Sequence, residues 1–277
     1  MGYIDGHVHV WTDDLAGYPL AAGYAVEQMR PPTFTPAELL AHAQPCGVDR
    51  IVLIQMSFYG TDNSYMLDAI ARYPEVFRGV AIVDHADAEL AERVARLRAG
   101  GVRGFRVYQL AGGDTPPLDA PEYADLCGVA GELGMAVCPL IDVPLLSGVG
   151  RAADRFPATT FVIDHLARIG AGRPIEPADV DALCALAEHP NCVVKASAFY
   201  ALGAGKAPYD DLVPLIRRVW EAFGAERMMW ATDCPYQVQS ETYGDSLALI
   251  RDRLPFLTDG DRAAILEGTA ARVFFSP

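Results

Sequence analysis

Positive charge is scarce in this chain: Lys and Arg number 22 against 36 Asp and Glu, giving a formal net charge of −14 and a pI near 4.7. A surface of that sign repels phosphate backbones and anionic headgroups, which argues against nucleic acid and membranes as partners and leaves a small molecule as the natural one. A homo-oligomer is compatible with the same composition. No apolar run approaches the roughly 18 residues that suggest a bilayer span, and no basic segment with a short apolar stretch opens the chain, so a cytoplasmic protein is expected. The 6 cysteines (Cys46, Cys127, Cys138, Cys184, Cys192, Cys234) form no Cys-x-x-Cys pair and mostly lie in apolar runs, which favours buried, reduced thiols over a disulfide framework. No Gly-x-Gly-x-x-Gly follows the first strand and no Gly-x-Ser-x-Gly elbow occurs, which disfavours a dinucleotide site and serine hydrolase chemistry.

What the chain does have is a regular alternation. With 51% hydrophobic and 21% charged residues and a mean hydropathy of +0.14, its 277 residues can bury a sizeable core. Short apolar, β-rich runs fall at Tyr3–His9, Arg50–Gln55, Phe77–Val83, Val102–Tyr108, Ala136–Ile141, Thr160–Asp164, Cys192–Ala196 and Arg227–Thr232. Between and after them, helical spacing marks Pro36–Ala43, Asn63–Tyr73, Asp87–Ala99, Pro121–Leu133, Leu145–Phe156, Pro177–Glu188, Tyr209–Phe223 and Ser240–Leu254. Thr35 before Pro36, with Glu38 three residues on, is a helix start, and Gly224 is a stop. Parallel strands need crossover helices and are buried on both faces, so the expected fold is α/β, a single (β/α)8 TIM barrel spanning residues 1–277. An open doubly wound sheet is the alternative. The longest irregular piece, residues 12–32, exceeds an ordinary connection and could bring Tyr18, Tyr24 and Arg30 to a substrate.

Histidine is also rare, at 6 residues, yet His7 and His9 open the first strand two positions apart. Alternate residues of a strand share a face, so these imidazoles point the same way, with Asp5 on the same side. Barrel sites form at the C-terminal ends of the strands. His165 ends the sixth strand and Asp233 the eighth, which closes against the first, so Asp233 should face the His7/His9 pair. Three imidazoles and a carboxylate suit one divalent ion, Zn2+ by donor type, with Asp233 placed to take a proton from water. His85, His42 and His189 are read as loop or surface residues.

Arg103, Arg106 and Arg168 follow or end strands and offer guanidinium forks to an anionic or polyhydroxylated substrate. Tyr59, Tyr108 and Asp142 are of the right type to line a pocket, and Lys195 on the seventh strand could pair with a carboxylate or hold substrate.

The segments Asp5-Gly-His7-Val-His9 with Trp11, Ile163-Asp-His165, Lys195-Ala-Ser197 and Trp230-Ala-Thr-Asp233-Cys-Pro235 resemble the amidohydrolase superfamily, specifically its amidohydrolase 2 branch. Gln55-Met-Ser-Phe-Tyr59-Gly60-Thr-Asp62-Asn63 is similar to the signature of that branch's lactonase group, and Gln55 and Tyr59 within it join the arginines as candidates for binding substrate. The resemblance implies a hydrolase that opens a carboxylated or sugar-derived lactone, with His7, His9, His165 and Asp233 as metal ligands and catalytic residues. It also implies two alternatives: a metal-free mechanism, and a metal-dependent non-oxidative decarboxylase of an aromatic or muconate-type acid. Binuclear members of the superfamily use a carbamylated Lys on a middle strand. The fifth strand here has none, and the little chain before Asp5 leaves no room for the β-sandwich of other members.

Overall fold

A computed structural model of the protein describes residues 2–113 and 115–276. Its frame is eight parallel strands: β1 (Tyr3–Val8), β2 (Val48–Ile54), β3 (Phe77–Ala81), β4 (Val102–Gln109), β5 (Ala136–Ile141), β6 (Thr160–Ile163), β7 (Cys192–Ala196) and β8 (Met228–Trp230). They pair in sequence order, and β8 returns to β1 through a bridge between Val8 and Cys234. At that seam His9 N donates to the Cys234 carbonyl at 2.8 Å and Asp233 N to the His7 carbonyl at 2.9 Å. The architecture is the expected (β/α)8 barrel. β8 is shorter than its apolar run because Thr232 turns its N–H and hydroxyl to the Asp5 carboxylate, at 3.0 and 2.5 Å, instead of to a neighbouring strand.

The crossovers carry α1 (Pro36–Ala43), α2 (Ser64–Arg72), α3 (Leu90–Ala99), α4 (Ala124–Glu132), α5 (Leu146–Arg155), α6 (Pro177–Ala185) and α7 (Val213–Phe223). The first begins as its sequence dictates. Thr35 Oγ1 accepts from Glu38 N at 3.3 Å while the Glu38 carboxylate accepts from Thr35 N at 2.7 Å, and Pro36 occupies the first position, where a missing N–H costs nothing. After β8 come α8 (Gln237–Ser240), α9 (Tyr243–Asp252) and α10 (Asp259–Ala263), then a helical tail through Ala264–Gly268 and Ala271–Phe275.

That tail lies beyond the last helix expected from spacing, and it closes the barrel. The lower interior is apolar, built from Ile4, Val52, Ile54, Val80, Val162, Val193 and Met229, and Ala270 and Phe274 pack against it. Fully burying a ring such as Phe274 contributes about 1.5 to 3 kcal/mol. Above this plug the interior turns polar: His7, Arg106, Asp164 and Lys195 are all buried. All six cysteines are free. Among the described residues no helix is long and apolar enough to cross a membrane.

Candidate active site

The polar layer begins with the alternation in β1. His7 and His9 bring their Nε2 atoms to 3.3 Å. Asp5 takes a different part from the one its position suggests: its carboxylate accepts from His7 N at 3.1 Å, from Thr232, and from the Tyr243 hydroxyl at 2.6 Å. It ties β1 to the end of β8 and so sets the seam on which Asp233 sits. Burial pushes its pKa up to about 6 against the pull of those hydrogen bonds.

Asp233 Oδ1 stands 3.1 Å from His9 Nε2, 3.4 Å from His7 Nε2 and 3.9 Å from His165 Nε2. The four residues read from the sequence therefore do meet. Two of them arrive on left-handed backbone: Asp233 has φ 65°, and His165 to Arg168 form a turn whose φ values run from 52° to 58°. Such conformations cost a non-glycine residue about 1 to 2 kcal/mol each, and here they swing His165 back over the barrel axis. Its Nδ1 is held 2.8 Å from Ser197 Oγ. Burial drives the pKa of His7 well below its ordinary value and that of His165 down to about 4, so both imidazoles stay neutral. Burial works the other way on Asp233, yet His165, His9 and His7 hold its carboxyl below the usual carboxylate range.

Beneath the histidines lies a residue that sequence reasoning passed over. Asp164 is fully buried, with Oδ1 3.0 Å from Lys195 Nζ and 3.4 Å from His7 Nδ1, and Oδ2 3.4 Å from Arg106 Nη1. Burial alone would raise its pKa, but Lys195, His7 and Arg106 keep it well below the ordinary value. The signal was present in Ile163-Asp164-His165, where an acid ends an apolar strand beside a histidine. Tyr200 was also passed over; its hydroxyl donates to Asp233 Oδ2 at 2.5 Å. Burial and that carboxylate hold the phenol well above its ordinary value, so it keeps its proton.

His9, His165 and Asp233 form the floor of a cavity of about 360 Å³ at the C-terminal mouth of the barrel. Its wall includes Gln55, Ser57, Arg106, Tyr108, Arg168, Tyr200 and Tyr236, with Met56, Leu110 and Leu140 as the apolar part. Arg106 Nη1 reaches 3.2 Å from His7 Nε2, and Arg168 Nη1 pairs with Asp142 Oδ1 at 2.7 Å.

Two expected binding residues lie elsewhere. Arg103 is the second residue of β4, at the opposite end of the barrel, where its guanidinium donates to the carbonyls of Arg98 and Val102 at 2.9 and 2.8 Å. It lies three positions before Arg106, so the two emerge on opposite faces of the strand. Tyr59 is buried in the short turn after β2, and its hydroxyl faces Thr12 N at 3.2 Å rather than the cavity. Of the long loop, Tyr18 donates to Asp68 at 2.6 Å and Arg30 to the Glu27 carbonyl at 3.1 Å, both away from the cavity wall. His85 stacks on Tyr123, His42 on Phe34, and His189 pairs with Asp154, all outside the site.

The amidohydrolase family model matches residues 4–275. The chain belongs to that family. It is 31% identical to the 2-pyrone-4,6-dicarboxylate hydrolase of Comamonas testosteroni, over 92% of this chain and 84% of that one. It is 30% identical to the L-fucono-1,5-lactonase of Burkholderia ambifaria, over 98% and 94%. Among solved structures, an amidohydrolase of Burkholderia multivorans with bound zinc superposes with a TM-score of 0.83, each chain covered in full at 23% identity, a likeness of fold.

The donor set of this amidohydrolase fits a divalent ion. His9 Nδ1 lies 2.8 Å from the Ile54 carbonyl, which can only accept, so Nδ1 carries the proton and Nε2 is bare. That bare nitrogen, the His7 Nε2 and the Asp233 Oδ1 stand 3.1 to 3.4 Å apart, lone pairs converging. A tetrahedron with bonds of about 2.0 to 2.1 Å has edges of about 3.3 Å, so one ion satisfies all three. His7, Asp164 and His165 form a second such grouping around the same imidazole, in which the Asp164 carboxylate can accept from His7 Nδ1 and orient the ring.

Proposed function

We propose that this amidohydrolase hydrolyses a lactone, carboxylated or sugar-derived, at the cavity above His7, His9, His165 and Asp233. The observation that carries this reading is the ionised Asp233 carboxylate, set against the imidazoles of His9, His7 and His165 at the floor of a cavity large enough for a small cyclic ester. A divalent ion held by those four residues, zinc by the preference of imidazole and carboxylate donors, supplies Lewis acidity toward the ester carbonyl.

The chain's own residues do the rest. Asp233 takes the proton of the attacking water, because among the described residues it is the carboxylate that lines the cavity, and it remains unprotonated. Lys195 and Arg106 hold Asp164 ionised, and Asp164 in turn orients His7. Arg106 and Gln55 face the cavity from β4 and the end of β2, placed to bind substrate oxygens, and Arg168 stands at the wall with Asp142. The sequence relatives named for lactone or pyrone hydrolysis support the same reaction class.

A panel of sugar lactones and carboxylated lactones, assayed for acid release and for carbon dioxide, tests the proposal. Acid release without carbon dioxide is the expected result. Carbon dioxide from an aromatic or muconate-type acid, with no lactone opened, would replace hydrolase by decarboxylase.

A further inference from the structure

We propose that Tyr200 is the proton donor to the ring oxygen that leaves as the lactone opens, a role that rests on the hydrolase reading above. Opening an unactivated lactone needs both a base for water and an acid for the departing alkoxide. Asp233 Oδ1 is turned toward the imidazoles of His9, His7 and His165, at 3.1, 3.4 and 3.9 Å, which leaves Oδ2 as the oxygen able to take a proton. The hydrogen-bond partner of Oδ2 is the Tyr200 hydroxyl, at 2.5 Å, and Tyr200 itself lines the cavity. The hydroxyl thus lies between the base and the space a substrate occupies.

The alternatives in the wall are poorer donors. The Tyr236 hydroxyl has a sulfur, Met56 Sδ, at 4.0 Å, and among the described residues neither it nor Tyr108 is hydrogen-bonded to a carboxylate that could reload it. Arginine does not release its proton, and Lys195 is fully buried below His7, away from the cavity wall.

The step balances. Water oxygen bonds to the carbonyl carbon while its proton passes to Asp233 Oδ2, which then ceases to accept from Tyr200. The ring C–O bond breaks, its electron pair stays on the ring oxygen, and that oxygen takes the Tyr200 proton as the Tyr200 oxygen recovers one from Oδ2. The products are a carboxylic acid and an alcohol in one molecule, with Tyr200 and Asp233 returned to their starting states.

The test is Tyr200→Phe, which removes one oxygen from a partly exposed side chain, assayed on two simple lactones added to the panel and turned over by the unsubstituted protein. One has an alkoxide leaving group, as in δ-valerolactone; the other has a phenoxide, as in dihydrocoumarin. A proton donor matters for the first and little for the second. The expected result is a fall in kcat of about 10²-fold or more on the alkoxide substrate and within a few-fold on the phenoxide. Equal losses on both would mean that Tyr200 only positions Asp233, and unchanged rates would remove it from the reaction; either overturns the assignment while the hydrolase reading stands. Turnover of no lactone by the unsubstituted protein overturns the hydrolase reading, and this role with it.

Discussion

Arg168 and Asp142 form an ion pair of 2.7 Å at the cavity wall, so one of the two arginines that line the cavity arrives already neutralised. Asp142 is fixed in turn, its other oxygen accepting from Ala111 N at 2.9 Å. A substrate carboxylate must therefore compete with Asp142 for Arg168, whereas a hydroxyl-rich lactone need not. Asp142→Asn should lower KM for a carboxylated lactone relative to its neutral methyl ester by roughly fivefold to tenfold, about 1 to 1.4 kcal/mol for a partly exposed pair. Arg168→Met should shift the ratio the other way, and Arg103→Met, at the far end of the barrel, should leave it unchanged. A ratio unmoved by Asp142→Asn would show that Arg168 does not meet the substrate.

The barrel was legible in the sequence because parallel strands buried on both faces read as continuous apolar runs, and helices between them keep a different period. The convergence of His7, His9, His165 and Asp233 was legible because barrel closure puts the last strand beside the first. Facing direction was harder to read. Arg103 and Arg106 look alike in the sequence, yet three steps along a strand reverse the side, and only Arg106 points inward. Tyr200 was hidden because it follows the left-handed Ala198, where strand alternation no longer says where a side chain goes. The tail that closes the barrel was missed because its helical turns follow a short, polar start at Thr258 to Arg262.

Asp233→Asn keeps the size of the side chain and most of its hydrogen bonding but cannot take a proton. Activity needs the ionised form, so in the parent it should be lost only as pH falls through a pKa held below the usual carboxylate range, and that acidic limb should vanish in the variant. At neutral pH kcat should drop by a factor on the order of 10² or more, with the far-UV circular dichroism preserved. Turnover within a few-fold of the parent would remove Asp233 as the base.

Asp164 balances two buried cations, Lys195 and Arg106. Asp164→Asn leaves both uncompensated and should cost about 3 to 5 kcal/mol in urea unfolding. Adding Lys195→Met to that variant should restore part of the loss, since it removes one of the stranded charges. A double-mutant cycle with no coupling between the two positions would show that the pair does not carry the buried layer.

The metal reading makes a claim separate from catalysis. If His7, His9, His165 and Asp233 hold one ion, elemental analysis of the purified protein should find about one equivalent per chain, and chelation should abolish lactone turnover. Binding to the folded state alone should also raise stability, by about 2.7 kcal/mol at a free zinc concentration 100 times the Kd, so the thermal midpoint of the chelated protein should climb on titration with zinc. His9→Asn should blunt that climb without disturbing the Asp164–Lys195 pair below it, because His9 touches Ile54 and Asp233 and lies above the buried pair. Full turnover after chelation, with a midpoint that ignores zinc, would instead assign the electrostatic work to Arg106, already 3.2 Å from His7 Nε2.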